Sequence, residues 1–421
     1  MGEVASGELT IFADSNMVFF KPCDAIFSMK IPAYGAQHED ARFETVVTYL
    51  PPGDISLIDT FFSDQHKSAL FIFGVTAFYP RIQRHQQLAY AFTQREFDVF
   101  FIEPIFRGGD ACRIERLFPS LNLYLLGLPT CSRSADFISA RFDDDIVRAW
   151  VNIFTQITQR YSVNHSLWGA PHWWQLMQAT SSFDTRVFDY LDDYSMTFSQ
   201  SGLTNLVSNC LNSADGVSYT SAHLPFIKQL KNKKHAQIRN GFSSALLAMP
   251  KPCDMSAEFG YVGALDEING DWLTHFLYAN QGAALIMGSG SLSESISHFS
   301  TVRKNTYFLG EVTYLKAMLA LLQCRFGVIF FRAMEIAQWV NPVKCYEYIA
   351  LGLPVLASHN VDIEPELRPL MTIVPCSSLS MSVREKNKAE QLFWQTYLQL
   401  DFEQYNWQKR GEQVHQFLLD F

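Results

Sequence analysis

From residue 68 onward the chain alternates continuous apolar runs with stretches of helical period. SALFIFGVTAFY (68–79) and FDVFFIEP (97–104) are β-branched and aromatic runs of strand length, separated by a helical segment at 81–94. Strands that are apolar on both faces, alternating with helices, predict a parallel sheet covered on both sides. The pattern continues through NLYLLGL (122–128), an amphipathic stretch at 145–160, SLWG (166–169), RVFDYLDD (186–193) and DGVSYTS (215–221). A second series follows: EFGYVGAL (258–265), AALIMG (283–288), TYFLG (306–310), FGVIFF (326–331), LPVLAS (353–358) and LMTIVP (370–375).

Between the two series lies SSALLAMPKPCDMSA (243–257), whose small side chains and two close prolines mark a linker. The last 40 or so residues, rich in Gln, Glu, Lys and Trp, read as one or two closing helices. Residues 1–66 carry loop signals but no clear alternation. The expected organisation is an N-terminal extension of unknown role (1–66), a doubly wound α/β domain (67–243), a linker (244–257), a second such domain (258–380) and closing helices (381–421).

Composition narrows the function classes. Of 421 residues, 48% are apolar and 18% charged, ample for two packed cores. The 33 basic against 42 acidic side chains give a net charge of −9, the wrong sign for a protein that neutralises phosphate backbones, so no nucleic-acid partner is expected. No apolar run reaches the roughly 20 residues that cross a bilayer. The start, MGEVASGELTIF, lacks the basic and apolar regions of a secretory signal. Eight Cys lie far apart with no C-x-x-C pair, which predicts reduced thiols, a cytoplasmic setting and no metal.

The most informative stretch is NPVKCYEYIALGLPVLAS (341–358). Asn341 suits an N-cap and Pro342 the first helical position. A helix N-terminus leaves N–H groups unpaired and carries about half a positive charge, so it can hold a phosphate. Lys344 in the first turn adds a full charge, and Glu347 follows on nearly the same face, where a carboxylate can accept from two sugar hydroxyls. Alternatively this is a plain capped helix with two surface charges.

The segment resembles the nucleotide-sugar site of GT-B glycosyltransferases, the family-4-like branch in particular, whose C-terminal domains often read Asn-Pro-x-Lys, Glu-Tyr and Gly-x-Pro-Val. FGYVGALDEINGDWL (259–273) is similar to their Gly-Tyr-x-Gly turn, carrying Gly260 and Gly263. NTYFLGEVTYLKAML (305–319), CRFGVIFF (324–331) and IRNGF (238–242) resemble further blocks in the family's order. The resemblance covers roughly residues 68–375. It implies two Rossmann-like domains, with Asn341, Pro342, Val343 and Lys344 at the donor diphosphate and Glu347 at the ribose. One departure is Trp339, where family members often carry a glutamate eight residues before the one matching Glu347; the nearest upstream acid is Glu335. The stereochemical outcome therefore stays open.

The N-terminal half resembles relatives acting on surface polysaccharides, in RIQRHQQLAYAFTQREFDVFFIEP (81–104), VFDYLDDY (187–194) and ADGVSYTSAHL (214–224). Carboxylates at the carboxyl end of a parallel strand face the ligand crevice of an open sheet, so Asp192 and Asp193 are candidates for base or acceptor-hydroxyl anchor. They could equally cap the next helix. His223 is a second base candidate. Arg84 could serve phosphate or acceptor, or be a solvated helix charge. Trp173 and Trp174 could stack on acceptor sugars, with core packing as the alternative.

Two further motifs read as structural. MGSGSLSES (287–295) contains G-x-G after a strand, but Ser293 replaces the third glycine, which predicts a polar turn and not a dinucleotide fingerprint. FDDDIV (142–147) contains D-x-D at the start of a helix, where acids favour the macrodipole. The resemblance thus implies a GT-B glycosyltransferase moving a sugar from a nucleotide-diphosphate sugar, UDP-sugar before GDP-sugar, to an acceptor hydroxyl. No cofactor is held permanently. The acceptor would be a glycan or lipid-linked glycan, with peripheral association at the inner membrane face. A nucleotide-sugar 2-epimerase of the same architecture and a non-catalytic carbohydrate-binding relative are the rival readings.

Overall fold

The computed structural model describes residues 9–13, 16–20, 47–50, 68–78, 82–103, 112–117, 121–128, 135–136, 141–192, 194, 203–250, 252, 255–331, 334–374 and 380–421. The chain divides into two compact units. The first comprises residues 42–240 with 407–421, and the second 241–406 with 1–41. The backbone enters the second unit at 241 and returns to the first at 407.

At the start, β1 (Leu9–Ala13) and β2 (Asn16–Phe20) pair as an antiparallel hairpin. The strands of the first unit are β3 (Val47–Leu50), β4 (Ser68–Phe73), β5 (Phe97–Ile102), β6 (Cys112–Leu117), β7 (Leu123–Gly127), the short pair β8 (Ala135–Asp136) and β9 (Arg141–Phe142), β10 (Val163–Trp168), β11 (Thr185–Tyr190), β12 (Gly216–Tyr219) and β13 (Lys234–Gln237). Nine of them form one sheet in the order β13-β12-β11-β10-β4-β5-β7-β6-β3. It is parallel from β13 to β7, while β6 and β3 turn it antiparallel at one edge. The apolar pattern announces the central parallel strands. It does not announce β6, whose sequence CRIERL alternates charge with apolar residues, as suits a strand near an edge. Nor does it announce β3, which draws part of the N-terminal extension into the sheet.

Covering helices follow α/β logic. They are α1 (Arg84–Thr93), α2 (Asp144–Thr158), α3 (Trp174–Ala179) and α4 (Leu203–Ser213). Exposed Asp143, Asp144 and Asp145 sit at the start of α2, with Asp143 as N-cap, so this D-x-D serves a helix end. Trp150, Phe154 and Ile157 of α2 are fully buried. At the middle of the sheet Phe73 stacks on Trp168 and meets Phe154, Trp173 and Phe183 edge-on. The abundant phenylalanine of the sequence is used here, as dry ring-on-ring packing.

The second unit has six strands, β14 (Ala257–Val262), β15 (Ala284–Met287), β16 (Thr306–Phe308), β17 (Cys324–Ile329), β18 (Val355–Ala357) and β19 (Met371–Ile373). They lie in the order β16-β15-β14-β17-β18-β19, parallel throughout. Its helices are α5 (Gly270–Asn280), α6 (Ser293–Val302), α7 (Tyr314–Leu321), α8 (Met334–Trp339), α9 (Val343–Ala350) and α10 (Val383–Tyr397). Ser382 and Glu385 form a reciprocal capping box at α10. The last helix, α11 (Trp407–Leu419), returns to the first unit. A Cβ on its Gly411 would lie 2.9 Å from Ala91 Cβ, so α11 and α1 approach closely there, and Arg410 Nε donates to the Asn240 carbonyl at 2.9 Å.

Phe73→Ala should destabilise the protein by about 3–5 kcal/mol, the usual range for emptying a buried aromatic site. Urea denaturation followed by circular dichroism measures this, and a loss below about 1 kcal/mol would contradict the packing described.

Candidate active site

In the second unit the strand order reverses between β14 and β17. The crevice outside the carboxyl ends of such a pair is where open α/β sheets hold ligands. β14 ends at Val262 and the chain turns at Gly263, whose φ is 155°. A Cβ there would stand 2.6 Å from Lys344 Cε and 2.9 Å from Tyr261 Oη. The missing side chain is therefore what lets the Lys344 stem cross the turn.

Lys344 is the second residue of α9. The sequence predicts Asn341 as the cap of this helix and Pro342 inside it; the structure moves the cap to Pro342, whose backbone is extended. The Pro342 carbonyl accepts from Cys345 N at 3.1 Å, which leaves the earlier amides of the turn without helical partners. A residue before proline is pushed away from helical backbone, and Asn341 turns inward instead. Asn341 is buried, and its Nδ2 donates to Tyr346 Oη at 2.8 Å and to the Asp362 carbonyl. Tyr346 donates on to Glu364 at 2.6 Å. Asn341 thus braces the segment entering α9.

Glu347, one turn along, is only 4% exposed. Burial pushes its carboxyl up from 4.5 to about 7, against the opposing pull of the Lys344 charge and a hydrogen bond with Tyr314. Tyr348 locks the helix in place. Its hydroxyl accepts from Val262 N at 3.0 Å, and its ring lies where a Cβ on Gly327 would be, 2.3 Å from Cδ2. One side chain thus grips both strands of the reversal, a role the sequence did not reveal. Gly260 has a different task from Gly263. A Cβ on it would meet Cys324 Sγ at 2.7 Å and Leu321 Cδ2 at 2.8 Å, so it permits close packing of β14.

The Gly288–Ser291 turn is the expected polar turn. Ser291 N donates to Asp266 Oδ1 at 2.7 Å, Gly290 N to Ser293 Oγ at 3.0 Å, and Leu265 N to the Ser289 carbonyl at 3.0 Å. Asp266 already occupies the amide that a phosphate would need. A groove of about 610 Å³ between α5 and α6 includes none of the predicted site residues in its lining. Among the described residues no cluster of His, Cys, Asp or Glu is arranged to hold a metal ion, and no helix is long and apolar enough to cross a membrane.

In the first unit the corresponding reversal lies between β4 and β10. Arg84 opens α1 after β4, and it is neither solvated nor free for an acceptor. It is 3% exposed and forks onto Asp189 of β11, Nε to Oδ2 at 2.8 Å and Nη2 to Oδ1 at 3.0 Å. Its Nη1 reaches the Arg239 carbonyl at 3.1 Å and Asn240 Oδ1 at 3.3 Å. Asp189 is fully buried. Burial alone would raise its carboxyl, but the Arg84 charge and hydrogen bonds from His85 and Arg84 hold it well below the usual carboxylate range. Ser218 Oγ donates to it at 2.7 Å and His85 Nε2 lies at 3.1 Å. The sequence carried one signal for this cluster, an acid in the middle of an apolar strand, which must find a partner.

The remaining candidates separate. Asp192 is half-buried just beyond β11. The Tyr194 hydroxyl is held well above its ordinary value by burial, then by the charges of Asp192 and Asp189, and it donates to the Gly169 carbonyl at 2.5 Å. Asp193 lies outside the described residues, as does the side chain of Glu335. His223 is exposed in a turn after β12, its N–H bonded to Ser221 Oγ at 3.2 Å. Trp173 belongs to the core: it is fully buried and Nε1 donates to the Gly74 carbonyl at 3.0 Å. Trp174 is half-buried.

No protein family matches the chain by sequence, and no curated protein does. Solved structures do match. Sucrose-phosphate synthase from Thermosynechococcus elongatus superposes with a TM-score of 0.58 at 13% identity, over 84% of this chain and 98% of that one. HepE of Anabaena, in complex with UDP and glucose, gives 0.58 at 14% identity, over 85% and 100%. The chain has a GT-B fold. Trehalose 6-phosphate synthase from Burkholderia multivorans is similar too, at 0.53 and 11% identity over 84% and 96%. Within this GT-B fold, Lys344 over Gly263 and Glu347 on α9 stand at the strand reversal of the second unit, and the Arg84–Asp189 cluster stands at that of the first.

Glu347 titrates near 4.5 when unfolded and near 7 when folded, so the folded chain holds the extra proton between these values and stability falls as pH rises through that window. Glu347→Gln should match the parent's melting temperature near pH 5 and exceed it near pH 8, by at most about 3 kcal/mol in stability. Thermal unfolding at the two pH values decides it. A difference that does not change with pH would contradict a buried, ionising carboxyl.

Proposed function

We propose that this chain is a glycosyltransferase that moves a sugar from a nucleotide-diphosphate sugar to an acceptor hydroxyl. The observation that carries this reading is the placement of Lys344 against the Gly263 turn, with Glu347 further along the same helix, at the strand reversal of a six-stranded parallel sheet. Lys344 and the unpaired amides of α9 supply positive potential for the departing diphosphate, where charge develops as the sugar bond breaks. Glu347 accepts from the ribose hydroxyls. No metal is required in this reading. A UDP-sugar is favoured, in keeping with HepE, whose structures hold UDP with glucose and UDP-glucose. The first unit takes the acceptor, a glycan or lipid-linked glycan of surface polysaccharide or glycoconjugate synthesis. Asp192 anchors its hydroxyl. Work on such an acceptor would place the protein in the cytoplasm, at the inner face of the membrane.

A thermal-shift panel of UDP-, GDP-, ADP- and dTDP-sugars tests the donor. At 100 times its dissociation constant a ligand of the folded state adds about 2.7 kcal/mol, so the UDP-sugars should raise the melting temperature visibly, and no shift with any of the four would contradict the reading. Glu347→Gln should weaken uridine and UDP alike, by roughly 1–3 kcal/mol, as a charge-assisted bond becomes neutral. Lys344→Ala should weaken UDP more than uridine; equal losses would remove Lys344 from the phosphate role.

Asp192→Asn should leave UDP affinity unchanged and lower transfer by about 10-fold to 100-fold, the scale of one charge-assisted contact to the reacting hydroxyl. Transfer at the parent rate would take Asp192 out of the acceptor site.

A further inference from the structure

The sheet of the second unit ends at β16, and among the described residues no strand pairs with the outer edge of that strand. Which backbone groups the edge offers follows from its bonds to β15. Ala284 N donates to the Asn305 carbonyl and Leu309 N to the Ile286 carbonyl, both at 2.9 Å, and Tyr307 pairs with Leu285 between them. Alternate residues of a strand bond to the same neighbour, so residues 305, 307 and 309 face β15. The N–H and carbonyl of Phe308 and the carbonyl of Thr306 therefore point outward. Thr306 N is already turned onto the Arg303 carbonyl at 2.9 Å. Edges are ordinarily blunted by proline, by charge or by a covering segment, and NTYFLG (305–310) contains neither proline nor charge.

The side chains on this edge are apolar where a solvent-facing strand would be polar. Phe308 turns toward the core that α5 and α6 cover. Tyr307 and Leu309 point to the opposite face, where α7 packs on β14, β15 and β17, and they are 51% and 48% exposed. The ends of the strand carry opposite charge. Arg303 and Lys304 precede it and Glu311 follows it. The Arg303 guanidinium donates to Thr306 Oγ1 at 2.7 Å and to the Gly282 carbonyl at 2.9 Å, and among the described residues it meets no carboxylate. A strand that is cationic at one end, acidic at the other and apolar between is complementary to its own antiparallel copy.

We propose that β16 is a dimerisation edge, pairing antiparallel with β16 of a second copy about a two-fold axis at Phe308 and joining the two sheets into one. The outward groups set this register. Phe308 N of each copy donates to the Phe308 carbonyl of the other, and Gly310 N stands opposite the other copy's Thr306 carbonyl. Tyr307 then lies across from Leu309 of the second copy, an aromatic–aliphatic pair made twice that takes exposed apolar surface out of water. The Arg303–Lys304 end of each strand meets the Glu311 end of the other. The contact is small, so monomer and dimer exchange. This inference is independent of the transferase reading.

Sedimentation equilibrium of the full chain is the test. The parent should dimerise with a dissociation constant on the order of 10 μM, as suits an interface below the obligate size. Tyr307→Lys combined with Leu309→Lys sets cations across from one another and should raise that constant about 100-fold or more. Leu398→Lys, 80% exposed on α10 beside the opposite edge strand β19, should leave it unchanged. The register is read by mixing Tyr307→Cys chains with Leu309→Cys chains under mild oxidation. The mixture should link residue 307 to residue 309 far faster than either variant links to itself, as mass spectrometry of the joined peptides shows. This arm decides the matter if the double lysine variant does not fold. A parent that stays monomeric at about 100 μM, a dimer that the lysine pair leaves intact, or equal linking within the single variants would overturn the proposal.

Discussion

A side chain on Gly263 would fill the space through which Lys344 passes, and the arrangement around α9 turns on that vacancy. The turn with φ near 155° brings the end of β14 under the first turn of α9. Tyr348 fixes the same helix from the other side, lying on Gly327 of β17 and accepting from Val262 of β14. Two glycines and one tyrosine thus set the position of a helix end, a lysine and a buried carboxyl relative to the strand reversal. A methyl group on Gly327 would push the Tyr348 ring away, and one on Gly263 would strain a backbone with φ of 155° and displace the Lys344 stem.

The two buried carboxyls show how differently a charge can be kept inside. Asp189 is surrounded by donors and paired with a fixed guanidinium, so it stays ionised and stable. Glu347 has less compensation, with Lys344 nearby and a bond to Tyr314, and its carboxyl rises to about 7. The first is suited to holding other groups still. The second is poised to gain from a ligand that donates hydrogen bonds to its ionised form, so an unfavourable burial in the empty protein becomes favourable binding when sugar hydroxyls arrive.

Much of this was legible in the sequence because it is local. The central strands of both sheets are continuous apolar runs, and the Asn-Pro-Val-Lys start, Glu347 and the Gly-Tyr-Val-Gly turn lie in segments whose pattern depends on near neighbours. What was not legible depends on contacts between distant residues. Arg84 read as a phosphate or acceptor contact or as a solvated helix charge because its partner Asp189 lies on a strand that reaches it only in the folded sheet. Asn341 read as a cap because the type suits one, but the proline after it moved the cap by one residue and sent the amide toward Asp362 and Tyr346. Gly260 and Gly263 look equivalent in the motif and differ in backbone conformation and in what lies above them. The antiparallel edge of β6 and β3 has no periodicity strong enough to announce it.

The most direct measurement of the central claim is a crystal structure of the protein soaked with UDP. The account places the diphosphate within hydrogen-bond distance of Lys344 Nζ and the first amides of α9, with the ribose hydroxyls on Glu347. UDP bound elsewhere, for example in the groove lined by Asp271, Leu292 and Phe299 with Lys344 and Glu347 untouched, would contradict it.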